Sequence, residues 1–291
     1  MRLRIDLAYD GSGFHGWAAQ PGLRTVQGEV EQALAVALRR RTPTGELLRV
    51  PVVCAGRTDT GVHARGQVLH VDTTAEELAA SAGRSPEPPL EALQRRLAGI
   101  LPADVVVRRV VEAADGFDAR FSATWRRYVY RVADRPGSVD PLTRSHVLAW
   151  SRPLSLDVLA EASAPLLGLH DFAAFCKQRE GATTVRTLLD LSWVRRPDGV
   201  LEATVRADAF CHSMVRALVG CLLATGEGRR PVDWPAAVLA SASRSPEVTV
   251  APAHGLTLEE VAYPHDEELA ARAEQTRARR APVAPAAQED A

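Results

Sequence analysis

The chain is 291 residues long, 46% hydrophobic and 24% charged, with a formal net charge of −1. That is the composition of a soluble globular protein able to bury one large domain or two of ordinary size. It excludes the strongly basic total that announces a nucleic-acid binder by charge alone, and no apolar run approaches the ~20 residues that span a bilayer.

Residues 3–9 (LRIDLAY) alternate apolar and polar as a half-buried strand does, and DGSG at 10–13 ends them in turn residues. Thr25 then stands as N-cap to a helix in which Val26, Val30, Leu34, Ala37 and Leu38 recur at helical spacing. Residues 47–54 and 67–73 read as strands around the loop AGRTDTG. The Pro/Gly/Ser stretch 81–89 leads into a helix with Leu90, Leu93, Leu97 and Leu101 on one face. Strands are predicted at 104–113 and 124–134, and a helix at 154–167 begun by Ser155. TLLDLSWVRR and GVLEATVRADAF, parted by Pro197-Asp198-Gly199, read as a hairpin. The apolar helix HSMVRALVGCLLATG closes at Gly226 and Gly228, and a last strand covers 256–263.

Strands outnumber helices and several are joined by short turns, which predicts an antiparallel α+β fold rather than a doubly wound parallel sheet. The expected division is 1–103 as an N-terminal α+β domain carrying the AGRTDTG loop, 104–265 as a C-terminal α+β domain, and 266–291 as a disordered tail poor in large apolar residues. Cys54, Cys176, Cys211 and Cys221 lack CxxC spacing, so they suggest neither a zinc site nor a disulfide framework. Free thiols fit a reducing compartment, and no apolar leader follows Met1; a metal-free cytoplasmic protein is the expectation. All 35 basic residues but Lys177 are arginine, the better donor to phosphate. They gather at Arg39-Arg40-Arg41, Arg95-Arg96, Arg108-Arg109 and Arg126-Arg127, so basic patches are compatible with a neutral total.

Four stretches can carry chemistry. In AGRTDTG, Gly56 and Gly61 bracket Asp59, which can be a nucleophile or general base, with Arg57 as a phosphate holder; an Asx-turn beside a surface arginine is the plainer alternative. His63 and His70 flank it without the further ligands that a metal needs. In YDGSGFHGWAAQ, Phe14 and Trp17 can stack on bases or anchor a long loop. In TWRRYVYRV, alternation sets Arg126, Tyr128 and Tyr130 on one strand face, where Tyr128 can lie under a planar ligand or simply be a core tyrosine. In AFCHSMVRALVG, Arg216 sits among apolar residues of a helix and therefore calls for an anion; a pair with Asp59 would keep that carboxylate ionised.

Taken together these stretches, with TVQGEVEQAL, resemble the TruA family of tRNA pseudouridine synthases, in the family's order and over nearly all of residues 3–263. The resemblance implies isomerisation of uridine to pseudouridine at positions 38, 39 and 40 of the tRNA anticodon stem-loop, without cofactor or metal. It implies two ferredoxin-like halves with largely antiparallel sheets joined around a central cleft, in a homodimer. It gives Asp59 the role of catalytic carboxylate, Arg57 that of swinging the nucleotide out, Tyr128 that of lying against the target base, and Arg216 that of pairing with Asp59. Departures stand at Thr60, Ala18, Asp118 and Ser213, none of which removes one of these groups. Attack on the anomeric carbon, attack on C6 of uracil and a glycal route all need the base out of its stack, at a cost of a few kcal/mol. A non-catalytic tRNA-binding or chaperone protein on the same scaffold is the rival reading, and a phosphohydrolase using Asp59 is a third.

Overall fold

The computed structural model describes residues 1–177 and 183–278. In chain order the elements are β1 (Arg2–Tyr9), α1 (Val26–Ala37), β2 (Val53–Cys54), β3 (His63–Asp72), α2 (Ala75–Ala82), α3 (Pro89–Ile100), β4 (Val105–Glu112), β5 (Trp125–Ala133), β6 (Leu148–Ala149), α4 (Leu156–Ser163), β7 (Gly168–Asp171), β8 (Val185–Arg195), β9 (Leu201–Ala207), α5 (Met214–Gly226), α6 (Trp234–Ala240), β10 (Leu256–Ala262) and α7 (Leu269–Arg277). The fold is α+β with mostly antiparallel pairing, as the strand-rich pattern predicts. β1 pairs antiparallel with β3 and β4, β2 with β3, and β8 with β7 and β9, while β10 runs parallel to β3 and β6 to β5. No helix among the described residues is long and apolar enough to cross a membrane.

Two compact units result, Met1–Val129 with Ala253–Arg277, and Tyr130–Pro252. This differs from the boundary expected at 103/104 and the tail expected from 266, and strand pairing is the reason. β4 lies in the first unit because it pairs with β1, Ile5 opposite Val110. The chain returns at Ala253 because β10 pairs with β3, Thr257 opposite His63. α7 then docks with little apolar surface: Leu269 and Ala273 are buried, the Leu269 carbonyl accepts from Ser122 Oγ at 3.1 Å, and Ala270 lies against Gly116. Residues 279–291, the remainder of the expected tail, lie outside the described residues.

In the first unit β1 buries Leu3, Ile5, Leu7 and Tyr9 on one face, the alternation read from LRIDLAY. Thr25 caps α1 by accepting from the Gly28 amide. The strand expected over 47–54 shrinks to Val53–Cys54, although Val50 and Val52 are buried. β3 is flanked along one edge by β1, and on the other by β2 at its end and β10 at its start. That arrangement leaves residues 55–62 as a loop leading into β3.

α2 was not expected from the sequence. It starts in a capping box, Thr74 with Glu77, and Glu77 also takes a fork of hydrogen bonds from Arg40 at 2.8 and 2.7 Å. Those Arg40 bonds hold the Glu77 carboxyl at about 2. A depressed carboxyl contributes stability above its unfolded value and loses it as the pH falls through its folded value. Glu77→Gln is therefore expected to cost about 1 kcal/mol at pH 7, discounted for solvent around this partly exposed pair. The gap to the parent in urea titrations should close as the pH falls toward 2.

In the second unit β8 and β9 form the predicted hairpin, Leu191 opposite Val205. α5 is buried along nearly its whole length, with Leu218, Val219, Cys221 and Leu222 at 0% exposure. The segment ahead of β10 crosses it so closely that a Cβ on Gly220 would run into the Thr249 carbonyl. Against the expectation of free thiols throughout, Cys176 and Cys211 are joined as a disulfide, their Cα atoms 5.7 Å apart. The two lie 35 residues apart, so spacing along the chain gave no sign of the pair. Cys54 and Cys221 are free and buried.

Candidate active site

The loop 55–62 is fastened at both ends. Ala55 N–H donates to the Val68 carbonyl at 2.8 Å. The Ala55 carbonyl receives Arg126 at 2.9 Å, and the same guanidinium reaches the Arg120 carbonyl at 2.7 Å. At the far end the Val62 amide donates to the Asp59 carbonyl at 3.1 Å, closing a four-residue turn with Gly61 at φ 77°. Glycine suits that third turn position because a side chain there would be strained. Asp59 is thus a turn residue after all: a backbone hydrogen bond closes its turn, and its side chain is half-buried. Arg57 and Thr60 project to solvent on either side.

Tyr128, on β5, meets this loop from within the first unit. It is buried, and a Cβ on Gly56 would stand 3.9 Å from its hydroxyl. Burial raises the Tyr128 hydroxyl above its usual range and the charge of Asp59 raises it further, so it keeps its proton at neutral pH. Burial pushes the neighbouring Cys54 thiol up to about 12, which leaves it no thiolate character near neutrality. Arg126 and Tyr128 share the strand face expected from alternation, and Arg126 donates to two backbone carbonyls.

The aromatic loop after β1 is an anchor. Phe14 and Trp17 are 2% and 1% exposed, which removes them as a stacking platform for bases. Their loop lies on the Asp59 turn instead: Trp17 N–H donates to the Thr58 carbonyl at 3.0 Å, and a Cβ on Gly16 (φ 89°) would sit 2.9 Å from that oxygen. His63 is buried, accepting from Gly11 N–H at 3.0 Å and facing the His254 carbonyl at 3.1 Å. His70 accepts from Ala119 N–H at 2.9 Å, and burial lowers its affinity for a second proton. His63 thus accepts at Nδ1 and donates at Nε2, His70 accepts, and both brace backbone groups. Asp118, a departure from the family pattern, folds its own turn by accepting from Arg120 and Phe121 amides at 2.9 Å each and pairs with Arg277 at 3.0 Å.

Arg216 belongs to the second unit, half-buried on α5. Its Nε donates to the Ala251 carbonyl at 2.8 Å, while the Ala251 amide donates to the Arg216 carbonyl at 2.9 Å. A carbonyl is therefore one of the partners that an arginine in this apolar helix demands. Sequence reasoning passed over Tyr9, Thr58 and Gln67, which sit under the turn. The one signal was Gln67, an amide in register with the inward-facing Leu69 and Val71 of β3.

A family model described as tRNA pseudouridine synthase matches residues 162–264. The tRNA pseudouridine synthase A of Streptomyces griseus is 59% identical over 278 residues, 95% of this chain and 93% of that protein. The protein of the same description from Frankia casuarinae is 58% identical, covering 98% of this chain and 97% of its own length. That of Mycobacterium leprae is 50% identical over 95% and 94%. A dye-decolorizing protein from V. cholerae aligns at a TM-score of 0.19 and 11% identity, too slight a likeness to inform the fold. Identity of this order along the whole length leaves one conclusion: the chain belongs to the TruA family of tRNA pseudouridine synthases, which are isomerases.

Proposed function

We propose that the chain isomerises uridine to pseudouridine at positions 38, 39 and 40 in the anticodon stem-loop of tRNA, in the cytoplasm and as a homodimer, with Asp59 as the acting carboxylate. The observation that carries this reading is the meeting of the Asp59 loop with Tyr128 of β5: a turn-mounted carboxylate near a buried, protonated phenol. Tyr128 is the surface for the extruded base, exposed Arg57 draws the backbone of the flipped nucleotide, and Arg216 pairs with Asp59. Each half is proposed to be ferredoxin-like, as the family resemblance implies.

The reaction breaks the N1–C1′ bond, forms C5–C1′, releases the C5 proton to water and returns a proton to N1. No electrons leave the substrate, so an ionised carboxylate and a place for the rotated uracil suffice. RNA selection rests on backbone charge and overall shape, since the duplex major groove offers little to read. tRNA labelled with [5-³H]uridine should release tritium when incubated with the protein. A substrate with cytidine at 38–40 should release none. No release from the first substrate, or equal release from both, overturns the proposal.

A further inference from the structure

We infer that Tyr9 and Gln67 are positioning residues that aim the Asp59 carboxylate through Thr58; the inference rests on the proposed role of Asp59. Tyr9 closes β1 and is 5% exposed, Thr58 is 7% exposed and Gln67 is fully buried. The Gln67 amide nitrogen donates twice, to the Gly56 carbonyl at 2.7 Å and to the Tyr9 hydroxyl oxygen at 3.2 Å, and its Oε1 accepts from Val68 N–H at 3.3 Å. A carbonyl only accepts, so the amide cannot be turned the other way. The Tyr9 hydroxyl, which accepts from Gln67, also shares a hydrogen bond with Thr58 Oγ1 at 2.8 Å, in which either oxygen can donate. Burial keeps that phenol protonated.

The consequence falls on the residue after Thr58. The Thr58 side chain is held by Tyr9 and the Thr58 carbonyl by the buried Trp17 amide at 3.0 Å, so the 58–59 peptide that carries Asp59 is pinned on both sides. Gly56, on the other side of Arg57, is pinned by the same glutamine. Three buried polar side chains in a row are a costly way to fill a core, because each must find its partner, and an apolar set of like shape would pack as well. What the polar set adds is direction. A displacement of about 1 Å at a reacting group costs on the order of 100-fold in rate.

The test compares near-isosteric variants in the tritium-release assay, with tRNA affinity and thermal midpoint measured alongside. Tyr9→Phe and Thr58→Val should each lower kcat about 10- to 100-fold, with KM for tRNA within about twofold. The double variant should be no worse than either single, because one connected device is lost only once. Thr58→Ser, which keeps the hydroxyl, should recover most of the turnover lost in Thr58→Val. Parent-like kcat in Tyr9→Phe overturns the inference. So do additive losses, or a rise in KM and fall in midpoint that account for the whole effect. An inactive wild-type protein would instead overturn the proposed function. Active wild type, dead Asp59→Asn and unimpaired Tyr9→Phe would remove the positioning role alone.

Discussion

Asparagine in place of Asp59 should stop tritium release, with a loss on the order of 1000-fold or more, while tRNA binding stays within about threefold because phosphate contacts dominate affinity. The substitution is nearly isosteric. The turn it occupies is closed by a backbone hydrogen bond from the Val62 amide, with Gly61 in the left-handed region, so its backbone should survive. Asparagine also tolerates turn conformations as well as aspartate does. Only the charge and basicity are lost, and each proposed route needs one of them. Circular dichroism and a filter-binding curve on the same preparation separate chemistry from folding. Turnover within tenfold of the parent would remove Asp59 as the acting group.

The largest expected effect on stability comes from Gly220→Ala. The added methyl collides with the Thr249 carbonyl, a backbone atom that cannot swing aside. Overpacking of this kind costs about 3 kcal/mol or more, which for a unit of this size is a fall of roughly 6–12 °C in Tm. The displaced segment also carries Ala251, whose carbonyl and amide hold Arg216 at 2.8 and 2.9 Å, so kcat should drop with the midpoint. Gly99→Ala is the contrast. It lies in α3 with nothing within 4 Å of a new methyl, and should leave Tm unchanged or raise it by helix propensity. Equal midpoints for the two variants would refute the close-packing account.

Strands and helices with a strong period were legible in the sequence: β1, α1, β4, β5, the β8–β9 hairpin and α5 lie within a few residues of their expected places. What escaped was structure stabilised by partners remote in sequence. α2 is short, and Thr74, Glu77 and Arg40 secure it. α7 looks like solvated tail until Gly116 allows it close and Asp118 receives Arg277. Asp59 and its turn could be singled out, but not the hydrogen bonds beneath it, because Tyr9 is far along the chain from Thr58 and Gln67. Phe14 and Trp17 show the opposite failure: aromatic residues in a glycine-rich loop suggest stacking on a ligand, whereas the loop folds back and uses them as its own core. Composition cannot tell those two uses apart.

The return of Ala253–Arg277 to the first unit has a consequence for the order in which the molecule matures. During synthesis the ribosome must deliver the whole of 130–252 before Thr257 can pair with His63 and before the His254 carbonyl reaches the imidazole below the Asp59 turn. The second unit is continuous in sequence, with local hairpin and helix contacts of the kind that form early, whereas the pairing that completes the first closes a very long loop. The first unit is therefore completed only after the second has been synthesised, so a nascent chain halted before residue 253 would lack the strand beside β3 and the carbonyl that meets His63.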